Sequence, residues 1–274
     1  MSESTGTPQT FGGDAGGAAA GPGVDTFSAT AAAQSLHEDI KIAYWILVTE
    51  AKARNVRSIE AEALIRSLYA TLHARAQPTL PLFDVPHAEV YAVAHSVNVA
   101  MTTMAVAEQL GYGEKDARAL GLAGLLKDIG QATVSTDVLG RTNALEGDDL
   151  QQIRQHPIDG ARMLISTDEP LELAAVVAYE HHLGPDGQGY PPLAHPRPAH
   201  FASRLVRLVD AFCALHVRRP HRDAWAFEEV LSHIAERAGI EFDRELTGRF
   251  IAAMRALEPH VLRLTTPEQK LPWA

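Results

Sequence analysis

The sequence predicts an all-α protein, a bundle of helices, and three observations lead to that fold class. Apolar residues recur every three to four positions in nearly every segment beyond residue 36. No segment alternates apolar and polar residues in the way a half-buried strand would. The chain has 274 residues, 46% of them hydrophobic, and is therefore long enough to bury a full core.

The first part of the chain divides into a tail, a pair of helices and a linker. Residues 1–35 are rich in glycine and alanine and cannot bury enough apolar surface to fold, which predicts a disordered tail. Two helical patterns within 36–76 predict a short helical hairpin. Residues 77–86 carry three prolines and predict a linker.

The remaining chain is assigned to one main domain, 87–258, followed by a C-terminal tail, 259–274. Helical patterns in the domain cover 87–110, 114–127, 148–166, 170–182, 200–217, 224–238 and 243–257. The one long irregular stretch is "GPDGQGYPPLAHPRP", at 184–198. A loop of that length in a compact domain is typically functional.

Composition excludes several classes of partner and location. The formal net charge of -10 leaves no broad basic surface, so neither nucleic acid nor an anionic membrane is an expected partner. Cys213 is the only cysteine, which excludes an internal disulfide and fits a reducing compartment. The longest apolar runs fall far short of the roughly 20 residues that span a bilayer. With no secretory signal at its start, the chain is expected in the cytoplasm.

Polar side chains at the edges of apolar helices are the candidates for chemistry. They are His95, Asp128, His156, the adjacent His181 and His182, and Asp210. Imidazole and carboxylate are the expected ligands of zinc, iron or manganese, and a carboxylate can bridge two metals that activate water against a phosphorus ester. Neighbouring helix residues point about 100 degrees apart, so His181 and His182 can reach one metal only near a helix end. The following Gly184 predicts such an end.

Each candidate also has a purely structural interpretation. A lone helix histidine such as His95 is more often structural than a ligand, and His156 stands before a proline that would bend the helix. Asp210 lies among apolar residues and would pair with Arg204 or Arg207 if no metal is bound. The other histidines, His216 among them, are expected on the surface.

A resemblance to a known family follows from the order of the motifs. They are "YAVAHSVNVA", "LLKDIG", "HPIDGARML", "HHLGPDGQGYP" and "RLVDAFCALHVRRPHR", between residues 91 and 250. In this order they resemble the HD-GYP domains, helical members of the HD phosphohydrolase superfamily that hydrolyse the bacterial second messenger cyclic di-GMP. The resemblance implies an HD-superfamily bundle and a role in bacterial cyclic di-GMP signalling.

The resemblance also implies roles for individual residues. One metal would be held by His95, Lys127, Asp128 and Asp210, and a second by Asp128, His156, His181 and His182, with Lys127 and Asp128 at the catalytic HD position. The expected ligand contacts are Gly187, Gly189 and Tyr190 of the loop, and Arg219 and Arg222 of "RRPHR", whose alternative roles are a turn and a solvated basic strip.

Departures from the family pattern bear directly on the catalytic chemistry. Lys127 stands where the HD histidine is expected, Gln131 where a lysine is expected, and Leu183 and Gly184 replace an expected Glu and Arg. A protonated lysine has no lone pair to donate. At about 4 Å and an effective dielectric near 20, it would repel a divalent ion by about 8 kcal/mol. We therefore expect about one divalent transition metal (Fe, Mn or Zn) per chain, with the Lys127 amine paired to Asp128 and Asp210.

Three functional hypotheses remain open at this point. The first is a degenerate member that binds a ligand or a partner but hydrolyses slowly or not at all. The second is an active phosphodiesterase, or other phosphohydrolase, that works with one metal. The third is a scaffold with no nucleotide role. The expected ligand is cyclic di-GMP or a related nucleotide, and another signalling protein or a second copy of the chain in a homodimer are further candidate partners.

Overall fold

The computed structural model describes residues 38–43, 45–74, 79–84, 88–139, 141, 144–166, 171–195, 197–219 and 222–265. Most of them are helical, which confirms the all-α prediction. The helices are α1 (Ser58–Leu72), α2 (Ala88–Gln109), α3 (Glu114–Leu126), α4 (Thr136–Leu139), α5 (Gly147–Ile165), α6 (Glu172–Glu180), α7 (Phe201–His216), α8 (Phe227–Glu236) and α9 (Arg244–Leu257). The tail predicted for 1–35 lies outside the described residues. In the part of the chain that is described, no helix is long and apolar enough to cross a membrane.

An N-terminal helical segment precedes α1 and is less regular than its sequence pattern indicated. It consists of a helical stretch at 38–43, a π-helix at Trp45–Glu50 and a short α-helical turn at Ala51–Ala53. This segment packs against a 3₁₀ helix, Ile129–Thr133, that follows α3. The first arm of the predicted hairpin therefore contacts the main domain close to Asp128.

Helix α2 lies at the centre of the bundle because its side chains are apolar on nearly every face. It packs against α1, α3, α7 and α9, and residues such as Val97 and Met101 are fully buried. Gly121 of α3 leaves room for the side chain of Met104 in α2, since a Cβ there would lie 2.4 Å from Cγ of Met104. The C-terminal end of α3 is thereby held beside the face of α2 that carries His95.

A small two-stranded parallel sheet, which the sequence did not predict, accompanies the helices. Strand β1 (Leu80–Asp84), within the predicted linker, pairs with strand β2 (Val261–Thr265), within the predicted C-terminal tail. The side-chain amide of Asn98 accepts from the Phe83 N–H at 2.8 Å and donates to the Phe83 carbonyl at 2.9 Å. Strand β1 is buried almost throughout and contains Pro81, so it shows no alternation and resembles a linker.

Candidate metal centre

The six candidate residues come together from five segments of the bundle. Asp128 lies in the turn after α3, and His181 and His182 directly follow the last residue of α6. The other three lie within helices: His95 in α2, His156 in α5 and Asp210 in α7. The tandem histidines therefore stand at a helix end, where both rings turn towards the same interior.

Two glycines allow the Asp128 turn to lie directly on α5. A Cβ at Gly130 would lie 2.0 Å from the carbonyl oxygen of His156 and 2.5 Å from the backbone N of Gly160. Either distance is impossible for a real side chain, so residue 130 must be glycine for this packing. The contact brings Asp128 beside His156. Both glycines are visible in the sequence, in "DIG" and "DGAR". Their spacing along the chain does not show that the two segments contact each other.

One oxygen of Asp128 faces three histidines, a group named here the histidine side: Asp128, His156, His181 and His182. Oδ1 of Asp128 lies 3.3 Å from Nε2 of His156 and 3.4 Å from Nε2 of His181. These two nitrogens are 3.3 Å apart. One ligand atom from each of the four residues lies within 4.8 Å of the others.

The protonation of these rings leaves lone pairs pointing inward. Nδ1 of His156 donates to the Ile153 carbonyl at 2.6 Å, and Nδ1 of His181 donates to the Ala178 carbonyl at 2.9 Å. An imidazole that donates from Nδ1 and carries one proton has its lone pair on Nε2. Burial lowers the pKa of His182 to about 2, so the His182 ring is neutral. Imidazole nitrogens converging on a carboxylate fit a divalent transition metal.

The other oxygen of Asp128 faces a lysine, in a group named here the lysine side: His95, Lys127, Asp128 and Asp210. Nζ of Lys127 contacts Oδ2 of Asp128 and lies 3.0 Å from Oδ1 of Asp210. Asp210 also accepts a hydrogen bond from Nε2 of His95 at 2.7 Å. His95 and Asp210 thus form a separate group from the histidine side, and Nε2 of His95 is a donor in this arrangement.

Electrostatics keep the lysine side charged. Burial acts to lower the pKa of Lys127, but the carboxylates of Asp128 and Asp210 outweigh it and raise that pKa above its usual range. Burial likewise acts to raise the pKa of both carboxyls, and the ammonium of Lys127 holds each below its usual range instead. The side chain of Lys127 is only 2% exposed, so it is a buried cation with its counterions in contact.

The expected arginine partners of Asp210 are engaged elsewhere. Arg204 pairs with Asp243. Arg207 donates from Nη1 to the His181 carbonyl at 3.3 Å and from Nε to the Glu241 carbonyl at 3.1 Å. The cation beside Asp210 is therefore Lys127.

Gln131 contributes a polar contact to the shared carboxylate. Its Nε2 donates to Oδ1 of Asp128 at 2.8 Å, on the oxygen that the histidines face. Position 131 lacks the lysine that the family pattern leads one to expect, yet still supplies a donor to Asp128. No pattern in the sequence predicted this contact.

The loop after the tandem histidines folds back over them. The ring of Tyr190 stacks on His182 with centroids 4.4 Å apart. Gly189 has φ +132°, and a Cβ there would lie 2.4 Å from the His182 carbonyl oxygen, while Gly187 has φ +79°. The two glycines thus serve the fold of the loop, and their role in ligand binding stays a prediction.

Glu180 anchors this loop and was not recognised in the sequence. It is 1% exposed and precedes the tandem histidines. Its carboxylate accepts from Nη2 of Arg197 at 2.5 Å, from the backbone N–H of His200 at 2.6 Å and from Oγ of Ser203 at 2.9 Å. One buried carboxylate therefore joins the end of α6, the loop and the start of α7.

Arg219 and Arg222 lie beside the lysine side. The guanidinium of Arg219 lies 4.8 Å from the ring centroid of Tyr91, which stacks on His95 with centroids 5.5 Å apart. Arg222 donates from Nη2 to the Ala214 carbonyl. Among the described residues, neither Nε atom of the two arginines has a hydrogen-bond partner although both are buried.

His216, expected on the surface, is buried, so that expectation is wrong. Its Nδ1 donates to the Trp225 carbonyl at 3.0 Å, and its Nε2 accepts from Arg263 at 2.9 Å. Burial lowers its pKa to about 4. The residues that cover it come from β2 and the segment before α8, which no local pattern around residue 216 indicates.

The sequence of this chain is similar to those of known proteins. A family model described as "HD domain" matches residues 71–246 of this chain. A cyclic di-GMP phosphodiesterase of Pseudomonas aeruginosa is 29% identical over 199 residues, which cover 73% of this chain and 48% of that protein. A 3'3'-cGAMP-specific phosphodiesterase of Vibrio cholerae is 28% identical over 180 residues, 66% of this chain and 39% of that protein.

A solved structure shares the fold. An HDG"Y"P protein from Bdellovibrio bacteriovorus superposes with a TM-score of 0.60 at 14% identity, over 86% of this chain and 75% of that chain. At that identity the likeness concerns the fold alone. The chain spans less than half the length of the two phosphodiesterases named above.

Proposed function

Because the chain belongs to the HD domain family and has the motifs of its HD-GYP members, we propose that it binds cyclic di-GMP or a related cyclic dinucleotide and hydrolyses it slowly or not at all. The observation that carries this proposal is the buried ammonium of Lys127 between Asp128 and Asp210. That ammonium stands where the family resemblance leads one to expect a metal ligand. The activities of the named relatives support a cyclic dinucleotide as the ligand.

We assign about one divalent transition metal, Fe, Mn or Zn, to the histidine side. Its support is the donor set of Asp128, His156, His181 and His182, whose ligand atoms lie within 4.8 Å of one another. When bound, such an ion supplies a Lewis acid for a phosphoryl oxygen. Gln131 would orient Asp128 through the 2.8 Å hydrogen bond to Oδ1.

Lys127 argues against a second ion. A metal between Asp128 and Asp210 would have to displace an ammonium that contacts both carboxylates. A pair of metals stabilises both the attacking and the leaving oxygen of a phosphoryl transfer. Lys127 brings a positive charge to this position but cannot coordinate an oxygen as a metal does. The chain therefore keeps electrostatic attraction for a phosphate but lacks one of the two metal ions.

A second candidate function is an active phosphodiesterase that uses one metal. It is favoured by the complete ligand set of the histidine side. In this case the ammonium of Lys127 would itself stabilise charge on the phosphate. The cytoplasmic location, the homodimer and a signalling protein as partner stay predictions.

Binding and turnover measured on the same metal-loaded protein separate these functions. Calorimetric titration with cyclic di-GMP and with 3'3'-cGAMP measures binding, and chromatography of the incubated ligand measures hydrolysis. Binding without turnover supports the degenerate member, whereas metal-dependent turnover at one ion per chain supports the active enzyme. If neither nucleotide binds at millimolar concentration, both functions are excluded and a scaffold role remains.

A further inference from the structure

Three polar side chains on one face of α7 contact the metal centre or the segment that carries its tandem histidines. Ser203, Arg207 and Asp210 are four and three residues apart, which places them on the same face of a helix. Oγ of Ser203 donates to Oε2 of Glu180 at 2.9 Å, and Nη1 of Arg207 donates to the His181 carbonyl at 3.3 Å. Asp210 is a member of the lysine side. One face of α7 therefore reaches both sides of the metal centre.

The first of these contacts involves Glu180, whose buried carboxylate uses both of its oxygens. Oε1 accepts from Nη2 of Arg197 at 2.5 Å, and Oε2 accepts from the His200 N–H at 2.6 Å and from Ser203. Glu180 is 1% exposed, so the carboxylate depends on these donors to offset the cost of its burial. Because Glu180 is the last residue of α6 and directly precedes His181, its carboxylate fixes the point at which the tandem histidines leave the helix.

The second contact fixes the backbone one residue further along. The His181 carbonyl lies at the C-terminal end of α6, where carbonyl groups have no partner within the helix. Nη1 of Arg207 donates to this carbonyl, and its Nε donates to the Glu241 carbonyl at 3.1 Å. The positive charge of a guanidinium at this helix end is also favoured by the helix dipole. Helix α7 thus holds two successive residues at the end of α6.

Both contacts bear on metal binding because they hold the backbone that carries two candidate ligands. His181 and His182 follow Glu180 directly, and Nδ1 of His181 donates to the Ala178 carbonyl at 2.9 Å within α6. A shift at the end of α6 would therefore move these imidazoles relative to Asp128, which a different segment carries. Loss of an outer-shell partner that holds a ligand in place typically lowers metal affinity by about 10- to 100-fold.

We propose that Glu180 and Arg207 are positioning residues that set the metal affinity of the histidine side. The inference rests on the proposed function, since it takes the metal to be bound there. Each residue acts through the backbone of the tandem histidines and not through a ligand atom. Because the same face of α7 carries Asp210, the helix also fixes the position of the histidine side relative to the lysine side.

Replacement of Glu180 tests the first contact. In Glu180→Gln an NH₂ group takes the place of one carboxylate oxygen and faces other donors, so at least one hydrogen bond to Arg197 or to the His200 N–H is lost. We expect the affinity of the protein for Co²⁺ to fall by about 10- to 100-fold. The visible absorption bands of bound Co²⁺, which depend on the ligand geometry, should also change.

Arg197→Ala tests the same carboxylate in case Glu180→Gln does not fold. The side chain of Arg197 is 54% exposed, so its removal leaves the core intact, yet it takes a charged donor away from Oε1 of Glu180. The affinity for Co²⁺ should fall by about 10-fold, the lower end of the range, because the two donors to Oε2 remain.

Replacement of Arg207 tests the second contact. Arg207→Met keeps a long side chain but cannot donate to the His181 carbonyl, and the affinity for Co²⁺ should fall by about 10-fold. Arg207→Lys should recover part of the affinity, since an ammonium can donate to this carbonyl but lacks the fork that also reaches Glu241.

Two controls separate positioning from loss of charge and from loss of stability. Glu228→Gln makes the same chemical change in α8, where the carboxylate accepts from Arg255 at 3.0 and 2.8 Å and the Glu228 side chain is 55% exposed. Val230→Ala truncates a fully buried side chain in the same helix and lowers stability without removing a polar contact. Both should bind Co²⁺ within about twofold of wild type and with the wild-type spectrum, since they lie outside the network that holds α6.

Titration of the purified proteins with Co²⁺ decides the question. Weaker binding and an altered spectrum in Glu180→Gln and Arg207→Met, with unchanged controls, support the inference. Wild-type affinity in both variants, or an equal loss in Val230→Ala, overturns it and leaves the proposed function standing. If the wild type itself binds no Co²⁺, the proposed metal site has failed and the inference with it.

Discussion

The two oxygens of Asp128 face two different kinds of partner, and the contrast explains the chemistry of the whole site. On the lysine side the chain provides its own cation, with Lys127 in contact with Asp128 and 3.0 Å from Asp210. On the histidine side it provides only groups that could bind a metal. Nε2 of His156 and Nε2 of His181 lie 3.3 and 3.4 Å from Oδ1 of Asp128, and they are 3.3 Å apart. The lysine side holds one cation against two carboxylates, whereas the histidine side consists of one carboxylate and three imidazoles.

The framework of the histidine side does not involve residue 127, so a substitution there can alter the lysine side and leave the histidine side in place. The glycine contact between the Asp128 turn and α5, the helix end at His181 and the anchor at Glu180 all concern the histidine side or the loop. None of them depends on residue 127. If the proposed function is right, a lysine at that position takes the place of one metal ion while the residues of the histidine side keep their places.

The largest effect that the comparison predicts is the loss of metal from the histidine side. His156→Ala removes one of four ligands, and because removal of an outer-shell partner alone typically costs 10- to 100-fold in metal affinity, we expect a loss of at least about 100-fold. Elemental analysis after dialysis should then find almost no transition metal. His73→Ala, an exposed histidine in contact with Glu108, is the control and should keep the wild-type metal content. Equal metal content in both variants would show that the histidine side is not the metal site.

The next effect is a loss in the free energy of unfolding when the cation of the lysine side is removed. Lys127→Met leaves two carboxylates without their cation, and breaking a buried ion pair costs about 3–5 kcal/mol, here at the lower end because the Asp210 side chain is 28% exposed. Urea unfolding in the presence of a chelator should show this loss. Added Mn²⁺ should recover part of it, because a divalent ion can then replace the ammonium.

Lys115→Met is the matched control for this stability measurement. Lys115 lies on the same helix, α3, and is exposed to solvent. Its replacement should change the free energy of unfolding by less than about 0.5 kcal/mol. If Lys127→Met is no less stable than Lys115→Met, Lys127 is not the buried counterion of Asp128 and Asp210.

A smaller effect is the pH dependence of the free energy of unfolding of the metal-free protein, which differs between the histidine side and the lysine side. The pKa of His182 is about 2 in the folded chain, against about 6.5 unfolded, so the unfolded chain binds more protons and stability falls as the pH drops below about 6.5. By pH 5 the loss should reach about 2 kcal/mol. The carboxylates of Asp128 and Asp210 have lowered pKa values, so their contribution is constant over this range and is lost only below their unfolded pKa of about 3.9.

Chemical denaturation at pH 7 and pH 5 measures this difference. His182→Gln should lose about 2 kcal/mol less than wild type between these values, because glutamine does not titrate. Asp210→Asn should retain the wild-type pH dependence in this window, whatever its absolute stability. An unchanged slope in His182→Gln would mean that His182 is not held neutral by burial.

Helix positions and most of the site could be predicted from the sequence because both depend on local patterns. The period of apolar residues fixed α2 to within one or two residues of the range expected, and polar residues on apolar helices are conspicuous, so Asp128 and His156 could be singled out. The pairing of the Lys127 amine with Asp128 and Asp210 could be predicted because the family resemblance placed these three residues at one position.

What could not be predicted depends on contacts between distant segments. Strand β1 is buried by α2 and paired with β2 across most of the chain, so its own residues show no strand period. Glu180 is a buried acceptor only because Arg197, His200 and Ser203 fold back onto it. Arg154 joins the site through the ring of Tyr190, a contact that no spacing within α5 indicates.

The number of metal ions per chain tests the central claim most directly. Elemental analysis of wild type and Lys127→His, both loaded with Mn²⁺ and dialysed, compares a chain that carries its own cation on the lysine side with one that offers a neutral donor there. We predict about one ion per chain for wild type and about two for Lys127→His, since the substitution removes the positive charge beside Asp128 and Asp210. Two ions per chain in wild type, or an unchanged count in Lys127→His, would contradict the account.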